Sequence, residues 1–324
     1  MKKIVINKNN KSISYWNIFT SNFSNIIYNN ENYNSIVKFI VKSNNNILLY
    51  GINGFPIELL IDEIVKRKYN LEYLYKSECY WNKTIIYLQN QYFFEIDLLN
   101  PTIPKDFSFL KELILHIVNF KNMSNYKHLI ILKNIDVLKD YFSIFKILLE
   151  NYSHNAYFIC TTNKISCIEQ PIISRFTCTR IPLFRHEDII NIFNEYFDKP
   201  LNKFLIEEKT RNIIFCIFIA DIENIEPHLI TKEFCTFNYP PLYDFIKKYN
   251  KKSYNIDSIR SISYKCFQYN IKISKILCDI LKITNNKNKI KLIEIATNLD
   301  YILSLTNRGR EPIYIESLLC QLLL

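Results

Sequence analysis

The first 183 residues alternate short strand-forming runs with amphipathic stretches, and this alternation limits the fold more than any other feature of the sequence. The runs have the length of buried strands and stand at 47–50, 129–132, 157–161 and 177–181. Between them, apolar side chains recur at helical spacing, as over 57–65 and 138–152. Strands that alternate with helices form parallel sheets through right-handed crossovers. The sequence therefore predicts an α/β domain, and two further runs, at 84–88 and 92–96, predict a hairpin within it.

Strand-forming runs end near Pro182, and helical spacing continues through the rest of the sequence. The acids Glu187 and Asp188 suit the first turn of a helix. A segment with two prolines at 238–241 then interrupts the helical pattern. We therefore expect three domains, namely an α/β domain over 1–183 and two helical domains over 184–236 and 237–324.

Composition limits the class of protein and the meaning of its charge. Of 324 residues, 48% are hydrophobic and 22% are charged, as in globular proteins, and no apolar run reaches the ~18 residues of a membrane span. The N-terminus lacks an apolar signal core, and nine cysteines without a Cys-x-x-Cys pair predict a reducing, intracellular location. The formal charge is +10, but only eight of 41 cationic residues are arginine. Residues with AT-rich codons dominate, so genome bias explains much of this charge and makes each arginine and glycine more informative.

A strand–glycine–helix junction at 47–65 is the place where an α/β protein would bind phosphate. The phosphate-loop pattern Gly-x-x-x-x-Gly-Lys-Ser/Thr uses its lysine on the outer phosphates and its hydroxyl on Mg²⁺. The segment contains Gly51 and Gly54, but the last three motif positions hold Pro56, Ile57 and Glu58. Proline removes an amide donor, and a carboxylate repels a triphosphate. Two interpretations stay open, a degenerate phosphate loop or an ordinary strand–turn–helix.

The strand at 129–132 is not followed by the carboxylates that nucleotide hydrolysis needs. An ATPase of this architecture has one acid there for Mg²⁺ and another to polarise the attacking water. These positions hold Lys133 and Asn134, and neither side chain can do that chemistry. Asp136 stands two residues later and is expected to cap the following helix.

The segment after the strand at 157–161 carries the best-preserved pattern. It contains Asn163 and then the stretch Ile-Glu-Gln-Pro-Ile-Ile-Ser-Arg-Phe at 168–176. At this point the chain resembles the small subunits of replication factor C, the sliding-clamp loader of the AAA+ superfamily. Asn163 stands at the family's sensor-one position, and Ser174 and Arg175 stand in its Ser-Arg-Cys motif, with phenylalanine in place of cysteine.

Other segments follow the same family in the same order. The stretch 148–152 resembles a family helix that ends Met-Glu-Lys-Tyr, and 209–212 resembles the lid helix with the sensor-two arginine. The segments 296–305 and 312–321 resemble collar helices. Two departures are clear: the family's opening Trp-x-x-Lys-Tyr-Arg-Pro is absent, and an arginine pair is replaced by lysine and isoleucine at 146–147.

The resemblance implies an AAA+ fold, with a RecA-like parallel sheet over 1–183, a helical lid over 184–236 and an all-α collar over 237–324. It is closest to the small subunit whose own nucleotide site is degenerate. This implies no intrinsic ATPase activity and no cofactor in the chain's own site, with ATP and Mg²⁺ at the neighbouring subunit. Arg175, with Ser174, would act in trans on that ATP.

The resemblance also implies partners and contact residues. The expected partners are other clamp-loader subunits in a hetero-oligomer (a pentamer in this family), the sliding clamp and primer–template DNA, at a nuclear or a viral, cytoplasmic replication site. The cations that would contact DNA phosphates are Lys66, Arg67 and Lys68. The remnant of the chain's own nucleotide site would comprise Gly51, Gly54, Asn163 and Arg211.

Two other functions stay open at this stage. One is an active AAA+ ATPase with an unconventional nucleotide site, which micromolar, Mg²⁺-dependent binding of mant-ATP would indicate. The other is a purely structural scaffold of AAA+ ancestry with no DNA role. The five histidines are dispersed along the sequence, and we expect no metal site.

Overall fold

The computed structural model describes residues 14–82, 85–100, 102–104, 109–119, 127–225, 227–230, 242, 245, 255–268, 271–281, 286–305 and 310–321. These residues form two compact units. The first contains the described residues up to Leu201 together with Lys209–Asp221, and the second contains Asn202–Glu208 with the described residues from Ile222 onward. The domain boundaries predicted at 183 and 236 remain predictions.

The first unit is built on one seven-stranded sheet. Its strands are β1 (Ile47–Tyr50), β2 (Ser77–Trp81), β3 (Ile85–Gln89), β4 (Phe93–Asp97), β5 (His128–Lys133), β6 (Ala156–Thr162) and β7 (Thr177–Arg180). The first seven helices are α1 (Tyr15–Asn29), α2 (Glu31–Lys42), α3 (Ile57–Tyr69), α4 (Phe109–Asn119), α5 (Phe142–Asn151), α6 (Gln170–Ile173) and α7 (His186–Tyr196). Two more follow, α8 (Lys203–Glu207) and α9 (Ile213–Ile225).

The strand order is β2-β3-β4-β5-β6-β1-β7. Neighbours from β4 to β7 pair in parallel, whereas β2, β3 and β4 form an antiparallel meander. At the β7 end of this order, Tyr50 of β1 lies opposite Thr162 of β6 and Arg180 of β7. The carboxyl ends of these three strands therefore meet where the strand order reverses, and ligands of open α/β sheets bind at such a point.

The central strands are apolar because they are covered on both faces. Every residue of β5 and β6 is buried, as expected for parallel strands between two helical layers. Ile130 and Phe158 pack in one core with Leu113 of α4 and Phe145 of α5. This rigid sheet fixes the positions of the strand ends that carry the candidate site.

The second unit is helical. It contains α8 and, further along, α10 (Ile256–Gln268), α11 (Ile273–Leu281), α12 (Asn286–Leu305) and α13 (Glu311–Gln321). Its buried side chains include Ile259, Ile276 and Leu318 in one core. Among the described residues, no helix has both the length and the apolarity to cross a membrane.

The predicted fold class is confirmed at a coarse level. A mostly parallel seven-stranded α/β sheet is followed by helices. All six predicted strands are present, with ends shifted by at most one residue in the described part of the chain.

The single helix predicted over 138–152 is wrong, because a 3₁₀ segment at Ile135–Tyr141 precedes α5. Asn134 has a left-handed φ of 60°, and Asp136 accepts a hydrogen bond from Thr162 Oγ1 at 2.9 Å instead of capping a helix. These interactions tie the segment to the end of β6 and shorten the α-helix.

Candidate functional site

The segment after β1 forms a tight loop in which both glycines are needed for packing. A Cβ at Gly51 would come within 2.6 Å of the carbonyl oxygen of Ile181, so the backbone of the segment after β7 excludes other residues. Gly54 has a φ of 125°, and a Cβ there would lie 2.8 Å from Cγ of Asn212. The loop geometry thus explains the glycines without a bound phosphate.

The middle of the loop is anchored by an aromatic side chain. Phe55 is buried and stacks on Tyr33 with ring centroids 4.8 Å apart, and its ring lies 5.2 Å from that of Phe184. Pro56 has no N–H, and the N–H of Ile57 donates to the carbonyl oxygen of Phe55 at 2.9 Å. The start of α3 therefore has fewer free donors for an anion than an ordinary helix N-terminus.

Two residues that are far apart in sequence form an ion pair at the carboxyl ends of the strands, which we call this edge of the sheet. Nζ of Lys133, at the end of β5, lies 3.1 Å from Oε1 of Glu58 in the first turn of α3. The same Nζ lies 2.6 Å from Oε1 of Glu95 on the adjacent strand β4. Lys133 and Glu95 are buried, and Glu95 is only 2% exposed.

The ion pairs continue into a five-residue charge network, which comprises Glu58, Lys133, Glu95, Lys76 and Asp62. Nζ of Lys76 lies 2.8 Å from Oε2 of Glu95 and 2.6 Å from Oδ1 of Asp62. Burial raises the pKa of Glu95, but Lys133 and Lys76 outweigh it and leave that pKa below its ordinary value. Burial lowers the pKa of both lysines, but Glu95 outweighs it and raises the pKa of each. The pKa of Asp62 stays raised by burial despite Lys76.

The charges at this edge are the reverse of those in a Mg²⁺–triphosphate site. Such a site has a lysine on the loop helix and carboxylates at the end of another strand of the sheet. Here the helix presents Glu58 and the strand ends in Lys133. A cation paired with two carboxylates cannot hold Mg²⁺, and Glu58 opposes a phosphate.

Two asparagines follow strands at this end of the sheet, Asn163 after β6 and Asn134 after β5. Asn163 is exposed directly after β6, beside the loop, because Tyr50 pairs with Thr162. Nδ2 of Asn134 donates to Oδ1 of Asp97 at 2.9 Å. The structure therefore brings Gly51, Gly54 and Asn163 to one edge, where the neighbouring acids are already engaged.

Comparisons with known proteins give a fold likeness. No family model matches the chain, and no curated protein matches it. It is similar to a protein from Thermotoga maritima described as a DNA polymerase III gamma subunit-related protein, with 13% identity and a TM-score of 0.47 over 90% of this chain and 98% of that one. It is also similar to C. elegans PCH-2, with 11% identity and a TM-score of 0.40 over 70% of this chain and 65% of that one. The role of the site has to come from the chain's own residues.

Arg211 lies before a helix and not within it. Lys209–Asn212 precede α9, and Oδ1 of Asn212 accepts a hydrogen bond from the N–H of Phe215 at 3.0 Å, which fixes the helix start. Nε and Nη2 of Arg211 donate to the carbonyl oxygens of Phe184 and Leu183, both at 3.1 Å. The guanidinium is thus directed at the segment before α7, and its contact with a nucleotide remains a prediction.

Arg175 and Ser174 lie on the surface just after α6. Nε of Arg175 donates to Oε1 of Glu150 at 3.1 Å, and Nη2 also contacts this carboxylate. Nη1 contacts the carbonyl oxygen of Pro171, to which Ser174 Oγ donates at 3.0 Å. Glu150 belongs to the 148–152 stretch, so the fold joins two segments whose family resemblances were separate in the sequence.

The three cations predicted to contact DNA lie in the last turn of α3, at the opposite end of that helix from the loop. Nε of Arg67 lies 2.6 Å from Oε1 of Glu63, and its Nη1 donates to Asn34. Nζ of Lys68 donates to the carbonyl oxygen of Ser43 at 2.8 Å and lies over the ring of Tyr157. Burial lowers the pKa of Lys68. Of the three, Lys66 alone has no side-chain partner among the described residues.

The sequence pattern did not reveal the three inner members of the charge network. Glu95 is a single carboxylate within the apolar run Phe-Phe-Glu-Ile, and this was the one available signal. Lys76 and Asp62 carry no signal, because only the fold brings them to Glu95. Within the described residues, no group of three His, Cys, Asp or Glu side chains could hold a metal ion.

Proposed function

We propose that this chain is a non-hydrolysing subunit of a clamp-loader complex of the AAA+ type. The ion pair between Lys133 and Glu58 carries the proposal. It puts a lysine where Mg²⁺ needs carboxylates, and a carboxylate where a phosphate would bind. In this account the chain does not hydrolyse ATP, and it acts on the ATP of a neighbouring subunit.

Arg175 is the residue that would act in trans. Its side chain is 27% exposed, and that of its partner Glu150 is 46% exposed. Exposed ion pairs contribute only ~0–1 kcal/mol, so Arg175 can exchange Glu150 for a phosphate at small cost. A guanidinium placed on a transferred phosphoryl group accelerates hydrolysis by about 10³–10⁵. The pairing with Glu150 holds the guanidinium at the surface until a neighbour docks.

The other partners in this proposal are further subunits, the sliding clamp and primer–template DNA. Apolar side chains exposed on α12 support contacts with neighbouring subunits, and they include Ile290, Ile293 and Tyr301. Lys66 supports a weak, sequence-independent contact with DNA phosphates, because its side chain is not engaged elsewhere in the described structure.

The test is an Arg175→Ala variant in the complex purified from its native source through a tag on this chain. We expect the same subunits to co-purify, with ATP hydrolysis at the adjoining site slower by about 10³. Arg310→Ala, which removes an exposed arginine from the second unit, is the matched control. Unchanged hydrolysis in an intact Arg175→Ala complex would contradict the trans role, and purification of the chain without partners would contradict its role as a subunit.

A further inference from the structure

A cleft in the first unit is lined by an unusually large share of the chain's arginines. It has a volume of about 620 Å³, and its lining includes Arg180, Arg185, Arg211, Asp188, Tyr33 and Asn32. Three of the eight arginines of this sequence thus face one cleft, and the lining contains no lysine although lysine is about four times as frequent in the sequence.

The arginines come from three separate segments. Arg180 ends β7, Arg185 immediately precedes α7, and Arg211 precedes α9. Among the described residues, neither Arg180 nor Arg185 forms an ion pair. Arg211 uses Nε and Nη2 on backbone carbonyls, which fixes its guanidinium at the wall of the cleft.

The other polar groups leave the cleft positive. Asp188 is the one acid in the lining, and its Oδ2 accepts hydrogen bonds from the N–H of Arg185 at 3.2 Å and from Nδ2 of Asn30 at 3.3 Å. The hydroxyl of Tyr33 donates to the carbonyl oxygen of Pro182 at 2.9 Å. Burial and Asp188 raise the pKa of Tyr33 and Arg211 lowers it only in part, so the phenol is neutral at pH 7. Three guanidinium groups therefore face one carboxylate.

We propose that this cleft binds the polyphosphate group of a small ligand. Guanidinium groups form paired, charge-assisted hydrogen bonds with phosphate oxygens, which lysine cannot reproduce. A cleft of this volume is in the range of small-molecule sites, and two unpaired arginines can reach adjacent phosphates while Arg211 is held in place. The site uses no residue of the charge network and does not depend on the clamp-loader proposal.

The experiment is a calorimetric titration of the full chain with sodium tripolyphosphate in EDTA at low salt. We expect saturable binding that weakens as salt is added, and a loss of affinity of about tenfold or more for each arginine replaced in Arg180→Gln and Arg185→Gln. Arg310→Gln, an exposed arginine of the second unit, is the matched control and should bind as the parent does. Circular dichroism and thermal melting check the fold, and Arg180→Gln alone decides the test if the Arg185 variant does not fold.

The outcomes separate this site from the phosphate loop and identify the source of the phosphate. A Lys133→Met chain should keep its affinity for tripolyphosphate. Competition with ATP identifies the source of the phosphate. If ATP binds more tightly than tripolyphosphate, the ligand is a nucleotide; if the two bind equally, the base adds nothing and the ligand is inorganic polyphosphate. Either result supports the site. The proposal is overturned if the parent shows no saturable binding, or if the Arg180→Gln chain binds as tightly as the parent.

Discussion

Lys133→Met is the substitution that most sharply examines the charge network. It leaves Glu95, which is 2% exposed, without its 2.6 Å partner. Removal of one partner from a buried ion pair costs about 3–5 kcal/mol, and we expect about 3 kcal/mol because Lys76 still pairs with Glu95 at 2.8 Å. For a unit of this size, that corresponds to a fall in Tm of about 6–12 °C. Both tryptophans, Trp16 and Trp81, belong to the first unit, so their fluorescence follows its unfolding selectively.

The destabilisation should depend on pH in a defined direction. The pKa of Glu95 is lowered in the folded chain, so its contribution to stability is complete above the ordinary glutamate pKa of about 4.3 and disappears as pH falls through the folded value. The difference in free energy of unfolding between the Lys133→Met chain and the parent should therefore become smaller in acid, where Glu95 is protonated in both chains. Lys164→Met, at an exposed lysine just beyond β6, should change stability by less than about 0.5 kcal/mol. A Lys133→Met chain as stable as this control, or a destabilisation that is constant with pH, would refute the reasoning.

Two further predictions concern the loop and the DNA contact. Gly54→Ala should destabilise the first unit by about 1–3 kcal/mol, because φ is 125° and the new methyl group would meet Asn212. Urea unfolding measures this loss, with Asn53→Ala at an exposed neighbouring position as the control. Equal stability of the two variants would contradict the prediction. Lys66→Gln should reduce the salt dependence of primer–template binding by the purified complex by about one unit of slope. Arg67→Gln should instead lower stability, because Arg67 holds Glu63 and Asn34; equal DNA effects of the two substitutions would contradict this assignment.

Periodicity was enough to predict the sheet because its central strands are buried on both faces. A run such as Leu-Ile-Ile-Leu at 129–132 has the length and the unbroken apolar character of a covered strand, and its observed bounds differ by one residue at each end. The region 138–152 shows the limit of the method, since helical spacing cannot distinguish an α-helix from a 3₁₀ segment that Asp136 ties to β6. The helices α1 and α2 were not predicted, although Tyr33, Val37 and Ile40 are buried at helical spacing.

The sequence was enough to predict which residues of a nucleotide site are missing, but not which contacts replace them. The identities of Glu58 and Lys133 predicted the loss of the usual Mg²⁺–triphosphate charges, because that prediction needs only the chemistry of two positions. Their mutual contact, and the contact with Glu95, depend on the pairing of β4 with β5, which no local pattern specifies. The same holds for the pairing of Arg175 with Glu150.

The most direct measurement of the central claim is the Mg²⁺ dependence of ATP binding by the purified chain. Calorimetric titrations with a non-hydrolysable ATP analogue are compared in Mg²⁺ and in EDTA. The Arg180→Gln chain is titrated under the same conditions to identify binding in the cleft lined by Arg180, Arg185 and Arg211. The account predicts that Mg²⁺ does not increase affinity and that the binding observed is weakened by Arg180→Gln. Micromolar binding that requires Mg²⁺ and survives Arg180→Gln would show a working nucleotide site, and would contradict the account.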